Sequence, residues 1–100
     1  MKWKVVITDA AANDILEAKE WYESRQTELG WKFWQYVQLA LRNVQRSPRL
    51  GAASGKRNFR KRNLLIFPYS VYYELAGDEI RIHAVWHGAR SPKILKKRLS

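Results

Sequence analysis

Cysteine is absent from this 100-residue chain, which excludes disulfides and thiolate metal sites and leaves stability to packing alone; a reducing compartment suits such a composition. No apolar run is long enough to span a bilayer, and no charged n-region followed by an apolar h-region marks a secretory signal. A soluble cytoplasmic protein is therefore expected. Acid is scarce, and its placement removes several chemistries. Six of the nine acids (Asp9, Asp14, Glu17, Glu20, Glu23 and Glu28) precede Leu29, the other three (Glu74, Asp78 and Glu79) flank one turn, and none lies between Leu29 and Tyr73. Neither paired catalytic carboxylates nor a Ser/His/Asp arrangement can be assembled from them. There is no phosphate-binding glycine loop, and no cofactor is implied.

Positive charge is what the chain has in excess, with a formal net charge of +10. The acid-free stretch holds Lys32, Arg42, Arg46, Arg49, Lys56, Arg57, Arg60, Lys61 and Arg62, and Lys93, Lys96, Lys97 and Arg98 follow near the C-terminus. Such a field attracts nucleic acid, an acidic protein segment or an anionic lipid surface, and does not by itself choose among them. With 46% apolar residues and thirteen aromatics, the chain can bury one modest core, so residues 1–100 read as a single domain.

Trp3 to Thr8 alternates as a short strand, and Thr8 or Asp9 can cap the helix that follows. From Ala10 to about Gln26, Ala11, Ile15, Ala18 and Tyr22 fall at helical spacing, Leu16 and Trp21 widen the stripe, and Asp14, Glu17, Glu20 and Glu23 take the other side. Gly30 sits at the break. A second helix from about Glu28 to Arg46 aligns Phe33, Trp34, Val37, Leu41 and Val44, and Ser47-Pro48 stops it. Arg49 to Gly55 has the small residues of a loop. Strands are then predicted over Lys56 to Arg62, Leu64 to Phe67, Tyr69 to Leu75 and Glu79 to His87, with Asn63 able to take a positive φ and Pro68 marking a bend. The short Ala76-Gly77-Asp78 turn makes the last two an antiparallel hairpin. Ser91 as N-cap and Pro92 at the first helical position begin a short basic helix. The expected fold is α+β: a small antiparallel sheet of about four strands, an N-terminal helical hairpin on one face and a short C-terminal helix.

Histidines four apart suggest a metal site on a helix, but His83 and His87 stand on a strand. At ~3.3 Å per residue they lie ~13 Å apart on one face, too far to share a metal. His87 ends its strand and is followed by Gly88-Ala89-Arg90, a turn that points a guanidinium back toward the rim; an imidazole beside a fixed cation suits acid/base work on a phosphodiester or anion binding. The run from Lys56 to Arg62 has five cations in seven residues, with Lys56, Asn58, Arg60 and Arg62 on one strand face and Arg57, Phe59 and Lys61 on the other. Arginine forks of this kind clamp phosphate or carboxylate. Trp31, Trp34, Trp86, Tyr69, Tyr72 and Tyr73 read as packing rather than as base-stacking platforms.

Taken in order, the Ala-rich first helix ending in Trp21-Tyr22, the Pro48 stop, the arginine strand, Phe67-Pro68-Tyr69 with Tyr72-Tyr73, and His87 with Arg90-Ser91-Pro92 resemble the RelE/ParE superfamily of toxins from type II toxin–antitoxin systems. That resemblance implies a cognate acidic antitoxin bound to the toxin as a hetero-oligomer, with no membrane partner. It implies two mechanisms. RelE-like members cleave messenger RNA on the ribosome, and here Arg57, Arg60, His87 and Arg90 would take the cationic and proton-transfer roles. ParE-like members bind and inhibit DNA gyrase. Ser91 to Ser100 contains neither tyrosine nor histidine, so the C-terminal acid/base residue of the nucleases has no match, and the pattern is closer to the ParE branch. Arg57, Arg60, Arg62, His87, Arg90 and Lys93 would then meet the antitoxin or the target. The charge alone also fits a non-toxic module that binds nucleic acid.

Overall fold

Thr8 decides how the chain begins. In the computed structural model, which describes residues 2–55 and 59–100, its hydroxyl donates to the Ile82 carbonyl at 2.9 Å while accepting from the Ala11 N–H at 3.2 Å. One side chain thus ends strand β1 (Lys4–Ile7) and caps helix α1 (Asp9–Arg25). Helix α2 (Leu29–Arg46) returns antiparallel to α1 and stops at Ser47, before a 3-10 turn over Pro48–Leu50. Strands β2 (Ala52–Ala53), β3 (Phe59–Asn63), β4 (Tyr69–Ala76) and β5 (Glu79–His87) follow, and helix α3 (Pro92–Leu99) closes the chain.

The fold class is the expected α+β, but the sheet is mixed and has five strands in the order β1-β5-β4-β3-β2. β1 pairs in parallel with β5, Lys4 beside Glu79 through Ile7 beside Ile82, because the helical hairpin carries the chain across before the sheet is built. The remaining pairs are antiparallel. β2 falls inside the segment expected as a loop, where Ala52 and Ala53 pair with Lys61 and Arg60.

Leu64 to Phe67 is not a strand. Pairing of β3 with β4 ends at Asn63 beside Ser70, and the connection is a tight turn in which Phe67 donates to the Leu65 carbonyl at 2.7 Å. The positive φ expected at Asn63 falls instead on Ile66, at 58°. Gly30, read as the break, lies inside the first turn of α2. A Cβ there would stand 2.4 Å from the Lys19 carbonyl oxygen, so glycine is what lets the two helices cross so closely. The break itself is at Gln26–Glu28, with Glu28 in the left-handed region at φ 72°.

The helical hairpin packs on one sheet face. Phe33, Val37, Ala40 and Val44 of α2 and Ala11, Ile15 and Ala18 of α1 meet Val71, Tyr73, Ile80, Ile82 and Val85. Burial of each large apolar side chain contributes roughly 1.5–3 kcal/mol. At the end near Tyr69 an aromatic cluster locks the layers together, with Tyr22 stacked on Phe33 at 5.3 Å and Phe67 edge-on to both at 4.9 and 5.2 Å. Leu16, Trp21 and Trp31, expected to be packed, are about half exposed at 52%, 52% and 54%. The reverse face is covered by α3, whose Leu95 and Leu99 sit against Ala84, Trp86 and Tyr72. Among the described residues no helix is long and apolar enough to cross a membrane.

A β-bulge redirects β5. Tyr72 stands beside Ala84 and Tyr73 beside Ile82, so Ile82 and His83 together oppose Tyr73. The bulge overturns the expectation that His83 and His87 share a face. His83 turns to the reverse face, where Nε2 meets Glu74 Oε1 at 3.0 Å and the ring lies 5.4 Å from that of Phe59. His87 stays on the helix side, edge-on to Tyr69 at 5.0 Å.

Candidate functional site

β5 runs on past the end of β1, so backbone groups on that edge meet no strand there. Asp14 of α1 takes the place of the missing neighbour. Its Oδ2 accepts from the Val85 N–H at 3.0 Å and from the Arg98 guanidinium of α3, and its Oδ1 lies 4.0 Å from Arg90 Nη1. Only 4% exposed, this carboxylate ties the first helix, the last strand and the last helix together. Grouped with the other acids of α1, Asp14 is expected on the side opposite the apolar stripe. Its spacing of three from Ala11 and four to Ala18 is the signal that puts it on the buried stripe instead.

Arg90 reaches around the same edge. Its guanidinium lies 3.8 Å from the centroid of the buried Trp86 ring, Arg98 lies 4.9 Å from it, and the indole N–H donates to the Ser91 carbonyl at 3.3 Å. The Gly88-Ala89 turn before Arg90 is fixed by the backbone: Gly88 donates to the Pro68 carbonyl at 2.9 Å and Arg90 to the His87 carbonyl at 3.0 Å. Within that turn the Ala89 N–H donates to His87 Nδ1 at 2.8 Å. A neutral His87 therefore carries its proton on Nε2, and the nitrogen it can offer a partner is a donor.

These residues border a groove of about 520 Å³ between α1 and the sheet rim. Glu17, Trp21 and Tyr22 form the helical wall, Pro68 and Tyr69 the strand wall, and His87 with Arg90 the end. Arg25 lies 4.5 Å from the Trp21 ring centroid. Burial pushes the Tyr22 and Tyr69 phenols above their ordinary pKa, so both hydroxyls stay protonated donors near neutrality. The site thus offers aromatic walls and hydrogen-bond donors at its end. It suits an extended segment that brings an apolar side chain and a carboxylate.

The arginine strand lies elsewhere. Arg62 stands beside Val71, which stands beside Val85, so it is two strands, or ~10 Å, from β5. Arg60 points to the helix-side face and is held by main chain: Nη1 donates to the Arg49 and Gly51 carbonyls at 3.1 Å each, and its Nε is buried without a partner. Next to it the Tyr73 hydroxyl donates to the Pro48 carbonyl at 2.7 Å, and a Cβ on Gly51 would collide with that hydroxyl. Arg57 lies outside the described residues. Lys93 is exposed on the first turn of α3. The structure brings His87 and Arg90 together and leaves Arg60 and Arg62 apart from them. Among the described residues no group of three His, Cys, Asp or Glu side chains is placed to hold a metal ion.

A family model described as the ParE toxin of the type II toxin–antitoxin system parDE matches residues 5–92. No curated protein matches the chain. Among solved structures, one described as a chromosomal ParDE TA system from P. aeruginosa superposes with a TM-score of 0.77 at 22% identity, over 86% of this chain and 96% of that one. At that identity the likeness establishes a shared fold.

Proposed function

The chain belongs to the ParE toxin family of type II toxin–antitoxin systems, and from that premise we propose that it acts in the cytoplasm by binding and inhibiting DNA gyrase, and that a cognate acidic antitoxin neutralises it. The proposed unit is one domain. The observation that carries the binding reading is the hydrogen bond from Ala89 to His87 Nδ1. A general base needs a free lone pair on the imidazole, and the lone pair of neutral His87 is already in use. With Arg90 beside it, the rim presents donors, which hold a carboxylate or a backbone carbonyl and do not abstract a proton. Arg60, the other cation that RNA cleavage would call on, has its Nη1 committed to two carbonyls. The positive charge that the chain carries outside the acidic helix α1 supports an acidic occupant, and the aromatic groove gives such an occupant apolar anchorage.

The test is induction in bacterial cells without antitoxin, read as gyrase-linked DNA breaks against ribosome-dependent cleavage of messenger RNA. Breaks are expected. His87→Ala is expected to weaken toxicity by no more than about tenfold, the size of one lost hydrogen bond. Cleaved messenger RNA that disappears in His87→Ala and Arg60→Ala would sink the gyrase reading in favour of a ribosome-dependent endoribonuclease. Salt-dependent nucleic-acid binding without growth arrest would sink both.

A further inference from the structure

The turn between β3 and β4 breaks two rules at once. Its third residue, Ile66, has φ 58°, a region that suits glycine or asparagine and that a β-branched side chain occupies only under strain. Its tip also exposes two aliphatic side chains, Leu65 at 62% and Ile66 at 67%, where turns ordinarily carry polar residues. Neither feature serves the core, which takes Leu64 and Phe67 at 6% and 8% exposure. These two buried side chains flank the tip and anchor both its ends, and the Phe67 N–H closes the turn onto the Leu65 carbonyl. Strain retained at an exposed apolar point, held by well-packed neighbours, points to recognition.

We infer that Leu65 and Ile66 form a preorganised apolar anchor for the same acidic protein segment that occupies the groove. This rests on the proposed function and names a second contact for that partner. Two observations select the occupant. The tip is continuous with the groove, since Phe67 packs on Tyr22 and Pro68 lines the groove wall. It also lies within the span from Leu29 to Tyr73 that has no acid, and β3 with Lys61 and Arg62 leads into it, so an acidic segment that passes from the groove over the apolar pin meets complementary charge on the far side. A polar tip would hold such a segment by charge alone; an ordered aliphatic pair adds contact area without the entropy cost of fixing a floppy loop.

The test uses the full chain, its purified cognate antitoxin, and three variants: Leu65→Ser, Ile66→Asn and Ile66→Gly. Asparagine accepts the left-handed backbone, so Ile66→Asn is expected to melt no lower than the parent while binding the acidic protein about tenfold more weakly. Leu65→Ser is expected to weaken binding similarly. Ile66→Gly separates strain from side chain, because it keeps the turn and deletes the contact. Unchanged affinity in Leu65→Ser and both Ile66 variants would overturn the anchor. So would a lower melting temperature in both Ile66 variants, which would make Ile66 part of the fold. Loss of duplex DNA binding with the protein complex intact would assign the turn to nucleic acid and equally overturn it. Failure of the parent itself to bind the acidic protein would instead count against the proposed function.

Discussion

Asp14 is the residue on which most of the rim depends. It neutralises Arg98, faces Arg90 and satisfies the Val85 N–H from a position that water hardly reaches. Removing one partner of a buried charged network leaves the others uncompensated, so Asp14→Ala is expected to cost about 3–5 kcal/mol, and Asp14→Asn less, because the amide oxygen still accepts from Val85. Urea unfolding of the two variants checks both the size and the order. An equal loss would mean that the charge, and not the acceptor, is what Asp14 contributes. How legible the site was in the sequence follows the same residue. His87 and Arg90 stand out by their place at a strand end, whereas Asp14 looks like one more acid in an acidic helix. Its partners Val85 and Arg98 lie 71 and 84 positions away, and no local pattern announces contacts so distant.

Among the elements, α2 starts without a cap of its own. Glu28 at its N-cap makes no side-chain capping bond, and the orphan N–H groups are met from the neighbouring helix, with Glu23 Oε2 accepting from Glu28 at 2.9 Å and Oε1 from Gly30 at 3.0 Å. A carboxylate at a helix N-terminus also meets the positive end of the helix dipole. Glu23→Ala is expected to destabilise the fold by about 1 kcal/mol, lowering the thermal midpoint by ~4–8 °C, and Glu23→Gln by less. Calorimetry of the two variants separates the dipole from the hydrogen bonds. Periodicity and caps located the helices, the last hairpin and the start of α3 well, because those signals are local: Thr8, Ser91 and Gly77 do what residues of their kind do alone. The strand expected over Leu64 to Phe67 does not form, because two residues of that apolar run serve the core and two serve the tip. The face of His83 failed because a bulge shifts the alternation by one, and nothing in Ile82-His83-Ala84 marks it.

At the scale of the whole molecule, charge and pH enter together. Burial raises the pKa of Tyr22, Tyr69 and Tyr73 above the ordinary value of 10.0, for Tyr73 against the opposing pull of Arg60 and Arg62. Above pH 10 the unfolded chain loses these protons first and binds fewer than the folded one, so this stabilisation is fully present below pH 10 and is lost as pH rises through the folded values. The unfolding free energy is expected to fall between about pH 9 and pH 11, with the tyrosinate absorbance of these three residues appearing only as the protein unfolds. Titration of Tyr22, Tyr69 and Tyr73 before unfolding would contradict it. The parallel pairing of β1 with β5 has a consequence in time as well as in space. Lys4 waits for Glu79, and Asp14 for Val85 and Arg98, so nearly the whole chain must exist before its first strand has a neighbour. Contacts of such sequence separation form slowly, because loop closure precedes any return from the pairing. The rim is therefore among the last parts of the molecule to assemble, and a chain interrupted before residue 85 has the helical hairpin but nothing with which to act.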